Sequence, residues 1–78
     1  MTPFFIMIKC ELGKTYKVAD MISAAEIASE VYSTSGDYDL LVKVYVENQQ
    51  DIGHFIAENI HNIEGIKDTK TIITFKAF

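Results

Sequence analysis

Residues 30–46, EVYSTSGDYDLLVKVYV, set two β-rich runs on either side of a Gly-Asp pair, with two carboxylates and a phenol within three positions of that pair. The run from Tyr38 to Val46 alternates cleanly. Leu40, Val42, Val44 and Val46 fall on one face and Leu41, Lys43 and Tyr45 on the other, the two-residue period of a half-buried strand. Ile27 to Ser35 alternates small or polar residues with Val31, Tyr32 and Thr34 and reads as a second strand. A glycine at the first central position of a two-residue loop accepts the positive φ that type I′ or II′ hairpin turns require. Gly36-Asp37 therefore predicts a tight turn with the flanking strands paired antiparallel.

Working outward, Phe4 to Cys10 is aromatic and β-branched, bounded by Pro3 before it and Glu11-Leu12-Gly13 after it, and reads as a strand covered on both faces. From Lys14 the period changes. Val18, Met21, Ile22 and Ala25 follow the spacing of a helix with one buried stripe, with Lys14, Lys17, Asp20 and Ser23 facing water. Asn48 is a candidate N-cap for a second helix, with Asp51 favouring its positive end. Ile52, Phe55, Ile56, Ile60 and Ile63 mark the apolar side of that helix, and Gln49, Gln50, Glu58, His61 and Asn62 the outer side. Gly53 either allows close packing there or marks a weak first turn, and Gly65 reads as the stop. Ile66 to Phe75 is the last strand.

The order β-α-β-β-α-β with a central hairpin is the plan of an α+β, ferredoxin-like sandwich, a four-stranded antiparallel sheet with two helices on one face. The other face remains open. Phe5, Met7, Leu41, Tyr45, Ile73 and Phe75 are expected to point there, a poor surface to leave in water, so two subunits are expected to pack sheet against sheet.

Bulk properties agree. The chain has 78 residues, enough for a single domain, residues 1–78, and a chain of that size buries only about 60% of its unfolded surface. One cysteine allows no intrachain disulfide, so oligomerisation is the remaining source of burial, and a composition 49% hydrophobic fits it. A net charge of −4, scattered lysines and no arginine argue against direct nucleic-acid binding. No segment approaches the length of a membrane span, and MTPFFIMIKC lacks a basic start and a small-residue cleavage site, so a cytoplasmic protein with no membrane partner is expected.

Three segments, FFIMIKCELGK, EVYSTSGDYDLLVKV and IHNIEGIKDTKTIITFK, together resemble the RAM (regulation of amino acid metabolism) domain, the effector-binding half of transcription regulators of the Lrp/AsnC family. The Gly-Asp-Tyr-Asp turn is the most specific of the shared features. Because Met1 stands almost directly before the first strand, a stand-alone version without a helix-turn-helix domain is expected. The resemblance implies homodimers formed by sheet packing, assembling into tetramers or octamers, with a small amino acid effector bound between dimers at the hairpin turn. Mixing with full-length Lrp/AsnC regulators would then be a further kind of partnership.

On that reading Gly36, Asp37, Tyr38 and Asp39 line a ligand pocket: turn amides and carbonyls can pair with the ends of a zwitterion, Asp37 and Asp39 with its ammonium, and Tyr38 with ligand or neighbour. As plain structure, the same residues make a hairpin turn. Thr69 and Thr71 share a face of the last strand, with Thr34 expected nearby in the sheet. Their hydroxyls suit a zwitterion, although threonine is common in strands. His54, Glu58 and His61 share one helix face but do not match the His-Glu-x-x-His motif, so no metal and no cofactor are expected. Cys10 lacks a basic neighbour, and Glu11 would raise its pKa, so it reads as core. The rivals to a non-enzymatic effector module are a small dimeric ferredoxin-like enzyme, of monooxygenase or isomerase type, and a pure oligomerisation scaffold. Enzymatic chemistry wants a positioned acid or base in a pocket, and both histidines fall on one helix.

Overall fold

The computed structural model describes residues 2–47 and 51–78. Its elements run β1 (Thr2–Cys10), α1 (Thr15–Ala24), β2 (Glu30–Ser33), β3 (Leu40–Val46), α2 (Ile52–Asn59) and β4 (Ile66–Ile73). The sheet order is β2-β3-β1-β4 with every neighbouring pair antiparallel, the ferredoxin-like arrangement expected. β1 and β3 sit at the centre and supply most of the core.

Directly opposed residues of an antiparallel ladder share a face. Phe4, Ile6 and Ile8 of β1 stand opposite Val44, Val42 and Leu40 of β3. All six are buried, with Val18 and Ile22 of α1 and Ile52, Ile56 and Ile60 in and after α2 packed in the same cluster. Phe4 and Phe55 meet edge to face, ring centres 5.9 Å apart.

Several boundaries differ from the sequence expectations. The buried stripe of α1 is Val18, Ala19 and Ile22, beginning from half-buried Thr15, whereas Met21 is 40% exposed and Ala25 lies on the surface. The helix is rotated so that its small residue packs and its thioether does not. β2 is four residues long, not nine: Glu26 holds φ 56° just after α1, and the chain from Ile27 to Ser29 is still crossing to the sheet. α2 ends at Asn59, and irregular turns carry Ile60 and Ile63 onto the core. The residue at its N-cap is Asp51, which makes no side-chain capping bond. The proposed cap Asn48, with Gln49 and Gln50, lies outside the described residues. A Cβ on Gly53 would meet nothing within 4 Å, so the glycine is not there for close packing.

The open face is also corrected. Phe5, Met7, Leu41 and Tyr45 lie on it as expected. Ile73 stands opposite buried Phe4, on the helix side, and its neighbour Ile72, opposite Phe5, takes the open face instead. Phe75 falls beyond the end of β4, 96% exposed. The cause is a bulge: Lys9 pairs with Asp68 but Cys10 with Ile66, and the extra residue, Lys67, reverses the parity of everything after it.

Candidate functional site

The β2–β3 hairpin loop is longer than a two-residue turn. Ser33 pairs with Leu40, and the next bond is Thr34 N–H to the Asp39 carbonyl at 2.9 Å, leaving Ser35, Gly36, Asp37 and Tyr38 as a four-residue loop. Gly36 has φ +101° and Asp37 does not have positive φ, so a type I′ turn is absent. The Thr34 hydroxyl donates to the Tyr38 carbonyl at 2.8 Å and closes the loop from inside. The small, polar residues that looked like turn chemistry are thus used as such, over a wider span.

Asp39 joins this loop to the centre of the sheet. Its backbone N–H donates to the Ile8 carbonyl at 2.9 Å, and its carboxylate Oδ2 accepts the Cys10 N–H at 2.8 Å. An ionised acceptor here replaces the ladder bond that the end of β3 no longer provides, and charge-assisted bonds of this kind are the stronger class. One carboxylate oxygen is therefore committed to the fold. Cys10 itself is core: burial, then the Asp39 charge, push its thiol above the ordinary value, against a smaller lowering from a hydrogen bond with Thr15. The acid that matters is Asp39, not the adjacent Glu11.

The end of β1 and its turn into α1 form the second wall. Gly13 has φ +78°, Lys14 N–H donates to the Glu11 carbonyl at 3.0 Å, and Glu11 N–H donates to the Gly65 carbonyl at 2.8 Å. The turn is thereby tied to the start of β4. Between these walls lies an open cleft of about 580 Å³ lined by residues that include Lys9, Glu11, Gly36, Asp37, Asp39 and Lys67. A hollow of about 390 Å³ adjoins it, sharing Gly13, Thr15 and Asp39 and adding Tyr16, Ser33 and Thr34. The rim is mixed in charge: Lys9 and Lys67 against Glu11, Asp37 and Asp39. Leu12, on its rim, is fully exposed, and Tyr16, on the adjoining hollow, is largely so.

Of the residues singled out from sequence, Gly36, Asp37 and Asp39 line the cleft and Thr34 lines the hollow, while Tyr38 lines neither. Thr69 and Thr71 do not join them. They stand opposite Ile8 and Ile6 on the helix side of β4, at the sheet edge opposite β2, so two strands separate them from Thr34, which is not a neighbour. Thr69 borders a small separate depression with His61 and Lys67. Lys9, Glu11, Gly13, Thr15, Tyr16 and Lys67 were not anticipated. The topology carries the signal for them, because the antiparallel pairing of Ile8 with Leu40 and Lys9 with Asp68 brings the ends of β1, β3 and β4 to one place. His54 and Glu58 form an exposed i, i+4 pair at 3.0 Å on the outside of α2 and are not among the residues that line the cleft. Among the described residues no group of His, Cys, Asp and Glu could hold a metal ion, and no helix is long and apolar enough to cross a membrane.

Comparison with known proteins decides the lineage, since residues 4–78 match the family described as the Lrp/AsnC ligand binding domain. The chain belongs to this family. The transcriptional regulator FL11 of Pyrococcus furiosus is 38% identical to this Lrp/AsnC domain over 72 residues, 92% of the chain and 47% of FL11. The chain thus spans about half the length of the curated regulators it matches. The crystal structure of FFRP-DM1 superposes with a TM-score of 0.87 at 33% identity, covering 96% of this chain and 100% of that one. A homocitrate synthase of Sulfurisphaera tokodaii is 36% identical over 72 residues, 91% of this Lrp/AsnC domain but 15% of the synthase.

Proposed function

We propose that the chain is a non-enzymatic effector-binding and assembly module that takes a small amino acid, or a related zwitterion, at the seam between sheet-packed dimers. Domains of this family bind amino acid effectors. The observation that carries the reading for this chain is the mixed-charge rim of the cleft: Lys9 and Lys67 can face an α-carboxylate while Asp37, Glu11 and the uncommitted oxygen of Asp39 face an ammonium. The cleft is open, and Leu12 and Tyr16 are bare at its edge, so a second chain would supply the missing wall. A ligand bound at such a seam shifts assembly by its differential affinity for the two states. Association with full-length Lrp/AsnC regulators is a natural extension, since FL11 carries a domain like this one within a chain about twice as long.

Titration calorimetry with the twenty amino acids, followed by sedimentation with and without any ligand found, tests the reading. Saturable binding that shifts the sedimentation coefficient and is lost in Asp37→Asn supports it. A compact monomer at micromolar concentration, or an assembly indifferent to all twenty, rejects it. One observation favours a pure oligomerisation scaffold: Asp39, the most deeply placed acid of the cleft, already has a structural task at Cys10 N–H. An assembly that forms normally and binds nothing is the outcome that reading expects.

A further inference from the structure

The charges around the cleft are not shared evenly between its two walls. Lys9, Glu11 and Lys67 belong to the wall formed by the end of β1 and the start of β4, whereas the hairpin wall contributes only Asp37 and Asp39. The first wall carries both signs and can satisfy a zwitterionic head by itself, with Lys67, which the bulge sets outside the ladder, for the carboxylate and Glu11 for the α-ammonium. A neutral amino acid held there leaves the acids of the hairpin unanswered. Lys9 offsets them little, since it already stands opposite Asp68 across the β1–β4 ladder. The lining as a whole sets two ammonium groups against three carboxylates, and a ligand with one net positive charge closes that difference.

The adjoining hollow offers acceptors and no cation. Asp39, Thr15 and Thr34 line it together. The Thr34 hydroxyl donates its proton to the Tyr38 carbonyl, and the Thr15 hydroxyl bonds the Cys10 sulfur in the sense that lowers the thiol's pKa, as donation to sulfur does. A hydroxyl has one proton, so what both threonines have left to offer is a lone pair. Two such hydroxyls and the uncommitted Asp39 oxygen suit a group that only donates, and an alkylammonium or a guanidinium is such a group. Tyr16, at the same hollow, adds a ring on which a cation and its hydrocarbon stem can rest. The span agrees. β1 lies between β4 and β3, and strands about 4.8 Å apart put roughly 10 Å between the backbones at Lys67 and Asp39. Side chains from both walls reach into that gap, and a flexible stem of a few carbons bridges what remains.

We propose that the effector is a basic amino acid, one whose side chain ends in an ammonium or a guanidinium, with its head on the β1–β4 wall and its terminal cation in the hollow between the hairpin and the start of α1. The inference rests on the effector reading of the preceding section and adds the chemical class of the ligand's side chain. Asp39 serves both fold and ligand because its two oxygens are divided. One holds the end of β1, and the other meets the cation.

The test is titration calorimetry on the full chain, comparing lysine with norleucine and arginine with citrulline, neutral counterparts that keep a similar chain and lose the terminal charge. Lysine or arginine should bind at least about tenfold more tightly than its counterpart, the effect expected of a hydrogen bond to a charged group. Cadaverine, which keeps both nitrogens of lysine without the carboxylate, should be weaker than lysine by about tenfold or more. Thr15→Val, with its fold checked by circular dichroism, removes one acceptor of the hollow and should narrow the lysine-to-norleucine ratio. Norleucine and citrulline binding as tightly as lysine and arginine overturns the inference and leaves the effector reading in place. Cadaverine matching lysine overturns it too, because the head would then go unread. An unchanged ratio in a folded Thr15→Val chain removes the hollow as the seat of the cation and has the same consequence; should that variant fail to fold, the ligand series decides alone. Absence of binding by all twenty amino acids rejects the effector reading itself, a result distinguishable from these.

Discussion

Gly65 is the position where a single methyl group should do most damage. It sits at φ +102°, and a Cβ built there would lie 3.1 Å from Val18 Cγ2 and 3.2 Å from Lys14 Cβ. Val18 is fully buried and Lys14 Cβ is fixed to backbone, so neither neighbour can swing aside. Left-handed backbone costs an alanine about 1–2 kcal/mol. Overpacking adds about 1–3 kcal/mol, and the lower entropy of the unfolded alanine chain returns about 0.4–1 kcal/mol. Gly65→Ala should therefore lose about 1–5 kcal/mol, against a total of about 4–12 kcal/mol for a chain this long. At about 4–8 °C per kcal/mol for a domain of this size, melting falls by at least about 4 °C. Urea unfolding followed by circular dichroism at fixed protein concentration gives the number, and Gly53→Ala is the control. Gly53 has open space around it and no positive φ, so its replacement should gain about 0.5–1 kcal/mol. A Gly65→Ala variant within about 0.5 kcal/mol of the parent, or a Gly53→Ala variant equally damaged, refutes the assignment of the close approach to Gly65.

Glu26 holds φ 56° just past α1, a conformation that favours glycine, so Glu26→Gly should raise stability by about 0.5–1 kcal/mol in the same assay. Asp39→Ala removes the acceptor of the Cys10 N–H and should cost about 1–3 kcal/mol. Asp39→Asn, by removing the charge, should bring the Cys10 thiol down toward its ordinary value, read as thiolate absorbance against pH. Tyr32 and Lys43 hold the Glu30 carboxyl below its ordinary value, so its contribution is fully present above that value and is lost as pH falls through the lower folded one; pH-dependent unfolding should flatten correspondingly in Glu30→Gln. Leu12→Ser with Tyr16→Ser should abolish effector-linked assembly and spare the sheet-packed dimer, which sedimentation distinguishes.

The element order was readable because the core-forming patterns are strong and local. Leu40, Val42, Val44 and Val46 alternate without interruption, and Ile52, Ile56 and Ile60 recur at helical spacing, so the buried faces of β3 and α2 emerge from composition alone. Where two faces are chemically similar the period does not decide between them. Val18, Ala19 and Ile22 or Val18, Met21 and Ile22 make equally good helical stripes on paper, and only the space beneath α1 selects the alanine. The bulge at Lys9 and Cys10 is a different kind of failure. It lies beside the Asp39–Cys10 and Glu11–Gly65 bonds, contacts separated by tens of residues, and it reverses the facing of Ile72 and Ile73 with no mark in the local sequence.

The site was legible only by half for a related reason. The hairpin announces itself through Gly36, Asp37 and Asp39, whose residue types are those of a turn, whereas the opposite wall of the cleft comes from Lys9, Glu11 and Lys67, which look like ordinary surface charges wherever they are read singly. They become a site because antiparallel pairing brings the ends of three strands together, and because the bulge that displaces Lys67 from the ladder leaves its side chain beside the cleft. The same bulge that misleads a count of alternating residues thus supplies one of the two cations on the rim. Asp39 connects these consequences: it ends the pairing of β3, anchors the last amide of β1 and leaves one oxygen facing the cleft lining.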